Sequence, residues 1–416
     1  MISRRQFIGS SAALAAATLG SVGTTRANVA DKPRKLITVF VDGGWDIAHS
    51  IDPKPNLVAT PDYDEVTMFE DIPVLTHSSR PSITGFFEQY APISAVAHGI
   101  NVRSISHKVC ERKMFTGLPS GAGPDAGAIV ANEHARDYPM PYFVVGATAY
   151  SGPLSVISGR VGRQGQINAL LDPDDAFPRF EQSPYFHEGY EADADEEAAI
   201  EAFLDARLAR ERAVRGQWGS NRSRIDDFIE SMEKGKVLRD NAQYFGETGA
   251  QLDLSDQVEL ALTALERDLA WSVGVTASLG FDTHEGNAQQ GQLQDALFGG
   301  LSNLAQALID RDLLDETVVV VFSEMSRTPA LNGNAGKDHH PVTSALAFGG
   351  GVAGGAAYGG NGDNVEALPV DLETGSTDLG DLKSLDSASW VAGVAALAGA
   401  DASPYLGADP FTAFIG

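Results

Sequence analysis

Length, composition and charge limit what this chain can be. Its 416 residues are 43% hydrophobic and 8% aromatic, the balance of an ordinary globular protein, and they suffice for one large domain or two. The 30 basic and 56 acidic residues give a formal charge of −26, which argues against a nucleic acid partner and against an anionic membrane surface. The single cysteine, Cys110, excludes an intramolecular disulfide.

The first thirty residues predict an export signal. Arg4 and Arg5 precede Phe7 and a short alanine-rich run, the pattern of the twin-arginine route. Cleavage is expected before Asn28 or after Ala30, although a retained anchor is the alternative. We therefore expect a periplasmic or secreted protein whose partner during export is the twin-arginine translocase.

Short apolar runs, several separated by helical patterns, predict an α/β fold around a mostly parallel sheet. The strand-like runs are "KLITVFVDGG", "ISAVAHGI", "PYFVVGA", "LAWSVGVTASLG", "TVVVVFSE" and "SALAFGGG". Helical patterns follow at "HKVCERKMFTG", "GQLQDALFGGLSNLAQALIDRDLL" and "SASWVAGVAALAG". Residues from about 172 to 268 are charged and helical, and we interpret them as an insertion in a single domain over 31–416.

Polar side chains at the ends of the predicted strands indicate a metal site. A carboxylate at the end of a buried strand is costly unless it is paired or coordinated, and ligands gather at the carboxyl edge of such sheets. Each one alone could be a solvated turn or a helix cap. The candidate ligands are Asp42, Asp282, His284, Glu324, Asp338 and His339.

Carboxylate and imidazole together favour Zn or Mn, with Fe suitable and with Ca or Mg possible. Six candidates exceed what one ion needs, so one or two divalent ions are expected, and paired ions are typical of phosphoryl or related ester transfer. Metal would also supply the positive charge that an anionic substrate needs in so acidic a chain.

Several motifs together resemble exported bacterial proteins of the uncharacterised DUF1501 family, which is grouped by fold with the alkaline phosphatase and sulfatase superfamily. They are "DGGWDIAHSIDPKPNL", "SISHKVCERKMFTG", "GFDTHEGN", "SEMSRTPALNGNAGKDHHP" and "FGGGVAGG". The resemblance implies an alkaline phosphatase-like three-layer sandwich with metal ligands at its strand ends. It implies no particular reaction.

The superfamily pattern can be carried onto this chain position by position. Its first strand-end aspartate matches Asp42, with Asp46 competing, and its Asp/His pair matches Asp282 and His284. Its Asp-His dipeptide falls on Glu324 and on a methionine, Met325. Since a thioether cannot replace an imidazole on a hard ion, either a histidine from 338–340 fills the gap, or one metal site is weakened or absent.

The resemblance places the nucleophile at the start of a helix, where free N–H groups favour an oxyanion. Ser106 and His107 are the candidates, with Ser104 behind them, and Ser106 as a simple N-cap is the alternative. Cys110 is expected to be a buried thiol. Arg327 is expected either to hold an anionic group or to pair with a neighbouring carboxylate.

In an extended "KDHHP", Asp338 and His340 face opposite to His339. We expect Asp338 and His339 to be the functional pair, with His340 beside the site or in solvent. The leading hypothesis is a metal-dependent hydrolase of a phosphate or sulfate ester, on a small molecule or a glycan. The alternatives are a non-catalytic metal-stabilised binding or assembly protein and a structural protein without metal.

Overall fold

An eight-stranded sheet lies at the centre of the computed structural model, which describes residues 30–54, 65–161, 194–245 and 252–416. The strands in chain order are Lys35–Val41 (β1), Glu65–Phe69 (β2), Ile72–Thr76 (β3), Ser94–Asn101 (β4), Tyr142–Val144 (β5), Ser158–Arg160 (β6), Ser272–Ala277 (β7), Thr317–Ser323 (β8), Ser326–Arg327 (β9), His339–His340 (β10), Val342–Gly349 (β11), Ala356–Tyr358 (β12), Val370–Asp371 (β13) and Leu382–Lys383 (β14).

The central sheet has the order β12-β4-β11-β8-β1-β7-β5-β6. β1 pairs in parallel with β7 and β8, whereas β11 is antiparallel to both of its neighbours, β4 and β8. Every residue of β1, β7 and β8 is buried, because helices cover both faces of a parallel sheet. The prediction of a mostly parallel α/β sheet is confirmed.

Helices form a layer on each face of the sheet. The described α-helices are Pro81–Tyr90 (α1), His107–Thr116 (α2), Ala126–His134 (α3), Ala194–Val214 (α4), Gly219–Asn241 (α5), Leu254–Glu266 (α6), Gln289–Asp310 (α7) and Ser387–Leu397 (α8). α1, α6 and α7 share one hydrophobic cluster with Ile37 and Val39, whereas α2, α3 and α8 share another with Leu36 and Phe40. Alternate side chains of β1 thus point into two cores, and the predicted three-layer sandwich is confirmed.

The helical region between β6 and β7 divides into two parts. α6 packs against β7 and buries Leu260, Leu262 and Leu265, so it belongs to the sandwich. α4 and α5 pair with each other, and α4 follows a stretch, 162–193, that lies outside the described residues. Residues 1–29 of the expected export signal over 1–30 also lie outside them. None of the described helices is long and apolar enough to cross a membrane.

Candidate metal centre

Five segments bring polar side chains to one edge of the central sheet. β1, β4, β7 and β8 run in the same direction, so their carboxyl ends and the loops that follow meet at this edge. β11 runs the opposite way, and its amino end therefore lies at the same edge, directly after β10. The 338–340 segment reaches the site because the strand after it is reversed.

A glycine allows two of these segments to approach closely. Gly43 follows β1 with φ of +110°, a conformation that L side chains rarely adopt. A Cβ atom at this position would lie 2.8 Å from the backbone nitrogen of Asp282. The glycine therefore lets the segment after β7 lie against the end of β1, which places Asp282 at the centre of the edge.

His107 is the first residue of α2, and its imidazole is held from one side. Nδ1 lies 2.7 Å from Oε1 of Glu324, and this hydrogen bond raises the pKa of His107. Nε2 is buried, has no hydrogen-bond partner among the described residues, and lies 3.5 Å from Oδ2 of Asp282. With Nδ1 donating to a carboxylate, the lone pair of Nε2 points into the polar cluster.

Glu324 accepts hydrogen bonds on every side. Its Oε1 accepts from the backbone N–H of Gly43 and from His107, and its Oε2 accepts from the N–H of Gly44 and the hydroxyl of Ser323. A carboxylate offers about four lone-pair sites, and these four bonds fill them. Glu324 therefore orients His107, a different role from the metal ligand that the sequence led us to expect.

His284 and His339 face each other across the cluster. Nδ1 of His339 lies 2.8 Å from the carbonyl oxygen of Ile105, and Nδ1 of His284 lies 3.2 Å from Oδ1 of Asp338. Both partners accept hydrogen bonds, so each Nδ1 carries the proton. The two Nε2 atoms are 2.9 Å apart, and each is 3.2 Å from Oδ1 of Asp282. Lone pairs this close need a shared proton or a cation between them.

These contacts form a set of donors that fits a divalent metal ion. Ligand atoms of His107, Asp282 and His339 lie within 4.8 Å of one another, and His284 contacts the last two. Each imidazole has its Nδ1 bound to an acceptor and its Nε2 directed inward, the arrangement that metal-binding histidines adopt. Three imidazoles with one carboxylate suit Zn or Mn better than Ca or Mg.

The guanidinium of Arg327 donates its hydrogen bonds to other groups of the protein. Its side chain is fully buried, and its guanidinium donates to the carbonyl oxygens of Gly43, Gly44 and Lys337 and to Oδ1 of Asp282 at 2.7 Å. Burial alone would raise the pKa of Asp282, but hydrogen bonds, that from Arg327 first, lower it to about 2. Arg327 thus pairs with a neighbouring carboxylate, one of its two expected roles, and has no donor directed at solvent to hold an anionic substrate.

Asp42 and Ser106 border the cluster without joining its hydrogen bonds. Burial of the Asp42 carboxyl, and then the negative charge of Glu324, raise the pKa of Asp42. Ser106 is exposed at the N-cap position of α2, and its hydroxyl makes no capping bond. Ser104 is half-buried two residues earlier, and Cys110 is a free, buried thiol as expected.

Three residues that lie close in sequence to the cluster do not contribute a ligand atom to it. Met325 is fully buried in an apolar cluster and offers no ligand to the site. His340 contacts the backbone of Val342 through Nδ1, and burial lowers its pKa. Asp46 is buried beside Lys337, with Oδ2 2.6 Å from Nζ, so it does not compete with Asp42 for the cluster.

Comparison with known proteins gives the family of the chain. Residues 33–379 match the sequence profile of the family described as protein of unknown function (DUF1501). The chain belongs to this family. No match was found among curated proteins.

Solved structures resemble this DUF1501 protein at low identity. One is Ps i-CgsB in complex with k-i-k-neocarrahexaose, at 12% identity and a TM-score of 0.44, covering 92% of this chain and 76% of that one. A protein in the alkaline phosphatase superfamily from Vibrio parahaemolyticus has 9% identity, a TM-score of 0.41 and coverages of 92% and 71%. A sulfatase from Pseudoalteromonas sp. has 10% identity and a TM-score of 0.33, and the match covers 79% of this chain and 64% of that one.

The loop that delivers His339 in this DUF1501 protein is anchored by residues that the sequence did not single out. Lys337 pairs with Asp46, and its backbone N–H donates to the carbonyl of Thr283. The side-chain amide of Asn332 donates to the carbonyl of His284 and to Asp338. The only sequence feature that marks Lys337 is its position directly before "DHH", and this position does not indicate that its side chain is buried.

Proposed function

We propose that this protein is an exported metal-dependent hydrolase of the alkaline phosphatase and sulfatase type, acting on a phosphate or sulfate ester of a small molecule or a glycan. The observation that carries the proposal is the convergence of three imidazole Nε2 atoms on the carboxylate of Asp282, each imidazole fixed through its Nδ1. Family membership and the twin-arginine pattern support the fold and the export.

The ion would be held by His107, Asp282, His284 and His339, with Zn or Mn favoured. A bound divalent ion polarises the ester oxygen and offsets its negative charge. This contribution matters in a chain of formal charge −26, where Arg327, the buried cation nearest the cluster, is already bound to Asp282 and to backbone carbonyls.

The residues of the chain itself hold the site in position. Glu324 keeps the proton of His107 on Nδ1, and Arg327 keeps Asp282 ionised. Ser106 is the proposed nucleophile, because its hydroxyl is exposed, makes no capping bond and precedes His107 at the start of α2. The first N–H groups of a helix have no partner within the helix, so they can donate to an oxyanion there.

The test combines elemental analysis with a hydrolysis panel. Protein purified from the periplasm is expected to contain stoichiometric metal and to hydrolyse at least one of an aryl phosphate, a phosphodiester and an aryl sulfate. His339→Ala and Asp282→Asn should lose both metal and turnover. His340→Ala is the matched control, since it removes the adjacent imidazole outside the cluster, and it should keep both. Absence of metal and of hydrolysis after several ions are supplied would exclude the proposal.

A second candidate is a non-catalytic binding or assembly protein stabilised by metal. It is favoured by Met325, which lies buried among apolar side chains at the position where the superfamily pattern has an imidazole ligand. Ser106→Ala separates the two candidates. In a hydrolase that uses this nucleophile it abolishes turnover and leaves the metal bound, whereas in a binding protein metal raises the melting temperature of both forms and neither hydrolyses any ester.

A further inference from the structure

The hairpin of α4 and α5 carries a basic tip, which we define as residues 206–225. Of the residues described between 198 and 230, Gly216 alone is buried. The hairpin contacts the body farther along α5, where Leu238 is buried and the ammonium of Lys234 donates to the carbonyl of Arg136. Gly219, at the start of α5, is fifteen residues before Lys234, so the turn of the hairpin lies about 22 Å beyond this contact, and Arg224, near the other end of the tip, lies about 15 Å beyond it.

The charge of the basic tip is opposite to that of the rest of the chain. It contains six arginines and one acidic residue, Glu211, a formal charge of +5, which falls to +2 when the flanking Asp205, Asp226 and Asp227 are counted, whereas the remainder of the chain is strongly negative. The Debye length is about 8 Å at physiological ionic strength, which is shorter than the distance to the body. A surface that meets the tip therefore experiences its positive charge more than the negative charge of the whole molecule.

Half of these arginines have no ionic partner among the residues that the structure describes. Arg212 and Arg222 share the carboxylate of Asp226, and Arg215 pairs with Glu211 four residues earlier. The side chains without an ion pair to any described residue are exposed, and they are Arg207, Arg210 and Arg224. Their positive charges are available to an external anion.

Apolar side chains lie beside these charges. A groove of about 590 Å³ between the two helices is lined by Leu204, Leu208, Ile225 and Phe228, with arginines along it. At the turn, Val214 is 71% exposed and Trp218 is 82% exposed. Arginine beside exposed tryptophan and aliphatic side chains is the composition that binds the headgroup region of an anionic bilayer, where the indole ring is favoured.

We propose that the basic tip docks on the surface of a membrane that contains anionic phospholipids. The arginines bind lipid phosphates, and Trp218 and Val214 enter the boundary between headgroups and acyl chains. The occupant is a lipid surface because positive charge and exposed apolar area occur together at a projecting turn. This proposal does not depend on the hydrolase activity or on the metal.

The test measures sedimentation of the full-length mature protein with vesicles. The protein should bind vesicles of equal parts phosphatidylcholine and phosphatidylglycerol, and salt should release it from them. It should bind vesicles of phosphatidylcholine alone only weakly. The variant R207Q/R210Q/R224Q should bind at least about tenfold more weakly, because it removes the three exposed arginines that have no ion pair to any described residue. Trp218→Ser should also weaken binding, whereas Leu379→Ser, which changes a side chain 75% exposed on the body, should not.

Tryptophan emission gives a second measurement on the same protein. Trp45 and Trp390 are buried and Trp271 is partly buried, so a blue shift on vesicle binding reports chiefly on Trp218. The shift should appear with anionic vesicles and disappear in Trp218→Phe. Three results would overturn the proposal: no binding to anionic vesicles, equal binding of the arginine variant when circular dichroism shows its helices intact, or basic tips that instead join two copies of the chain in sedimentation equilibrium.

Discussion

The edge of the sheet and the hairpin of α4 and α5 are both rich in charge, but they hold it differently. At the edge, Glu324 is 1% exposed and accepts four hydrogen bonds from three segments of the chain. In the hairpin, Arg212 is half exposed and pairs with Asp226 on the neighbouring helix. Charges that tertiary contacts fix can orient ligands, whereas charges that local pairs hold stay available to solvent and to other surfaces.

The largest expected effect comes from breaking the most buried ion pair of the sheet edge. Lys337→Met leaves the carboxylate of Asp46 buried without its cation, and the loss of one partner of a buried pair costs about 3–5 kcal/mol. Urea unfolding monitored by circular dichroism measures this free energy. The double variant K337M/D46L should recover much of the loss, since it removes the stranded charge.

The matched control for Lys337 is an exposed lysine. Lys383 pairs with Asp409 at the surface, and Lys383→Met should leave the urea midpoint unchanged. If both lysine variants unfold at the wild-type midpoint, the contrast between tertiary and local charge pairs does not hold.

A pH dependence is expected from the buried carboxyl group of Asp125. Burial raises the pKa of Asp125 from 3.8 to about 6, although hydrogen bonds from Tyr150, Ala128 and Tyr142 oppose it. The folded state then binds this proton more tightly than the unfolded chain, so this group's contribution to stability is lost as pH rises from about 4 to about 6. Relative to Asp125→Asn, the wild type should lose about 3 kcal/mol across that window in urea unfolding.

A smaller effect on metal affinity should distinguish buried from exposed partners of the histidines. Glu324→Gln removes the charge that orients His107 and should weaken Zn binding about 10–100-fold. Asp338→Asn alters the corresponding partner of His284, but this carboxylate is 61% exposed and water can replace it, so the loss should be below about tenfold. Competition with a chromophoric chelator measures both. Equal losses would contradict a role for burial.

The smallest effect belongs to the hairpin. Arg212→Gln breaks an exposed ion pair with Asp226, and such pairs contribute less than about 1 kcal/mol. The urea midpoint should therefore move little, and it should move less in high salt, where the pair is screened. A loss as large as that of Lys337→Met would show that the hairpin is part of the cooperative core.

Much of the fold was readable from local patterns. "KLITVFV" and "TVVVVFS" became β1 and β8, because continuous apolar, β-branched runs suit strands that are covered on both faces. The start of α2 at His107 and the position of Glu324 directly after β8 were also anticipated, whereas Asp282 lies five residues after the end of β7. The sequence did not show where the insertion ends, because a charged helical composition is found both in a helix that projects, as α4 does, and in a helix that packs on the sheet, as α6 does.

The sequence by itself determined which residue types follow the strands, since an apolar run ends where the chain leaves the buried sheet and polar groups become accessible to water or to one another. Only the tertiary structure decided their roles. The reversed direction of β11 brings His339 to the edge, the filled lone pairs of Glu324 make it a partner of His107, and Arg327 turns inward to Asp282. These outcomes depend on contacts between residues far apart in the chain, and no local spacing encodes how many hydrogen bonds a side chain will find there.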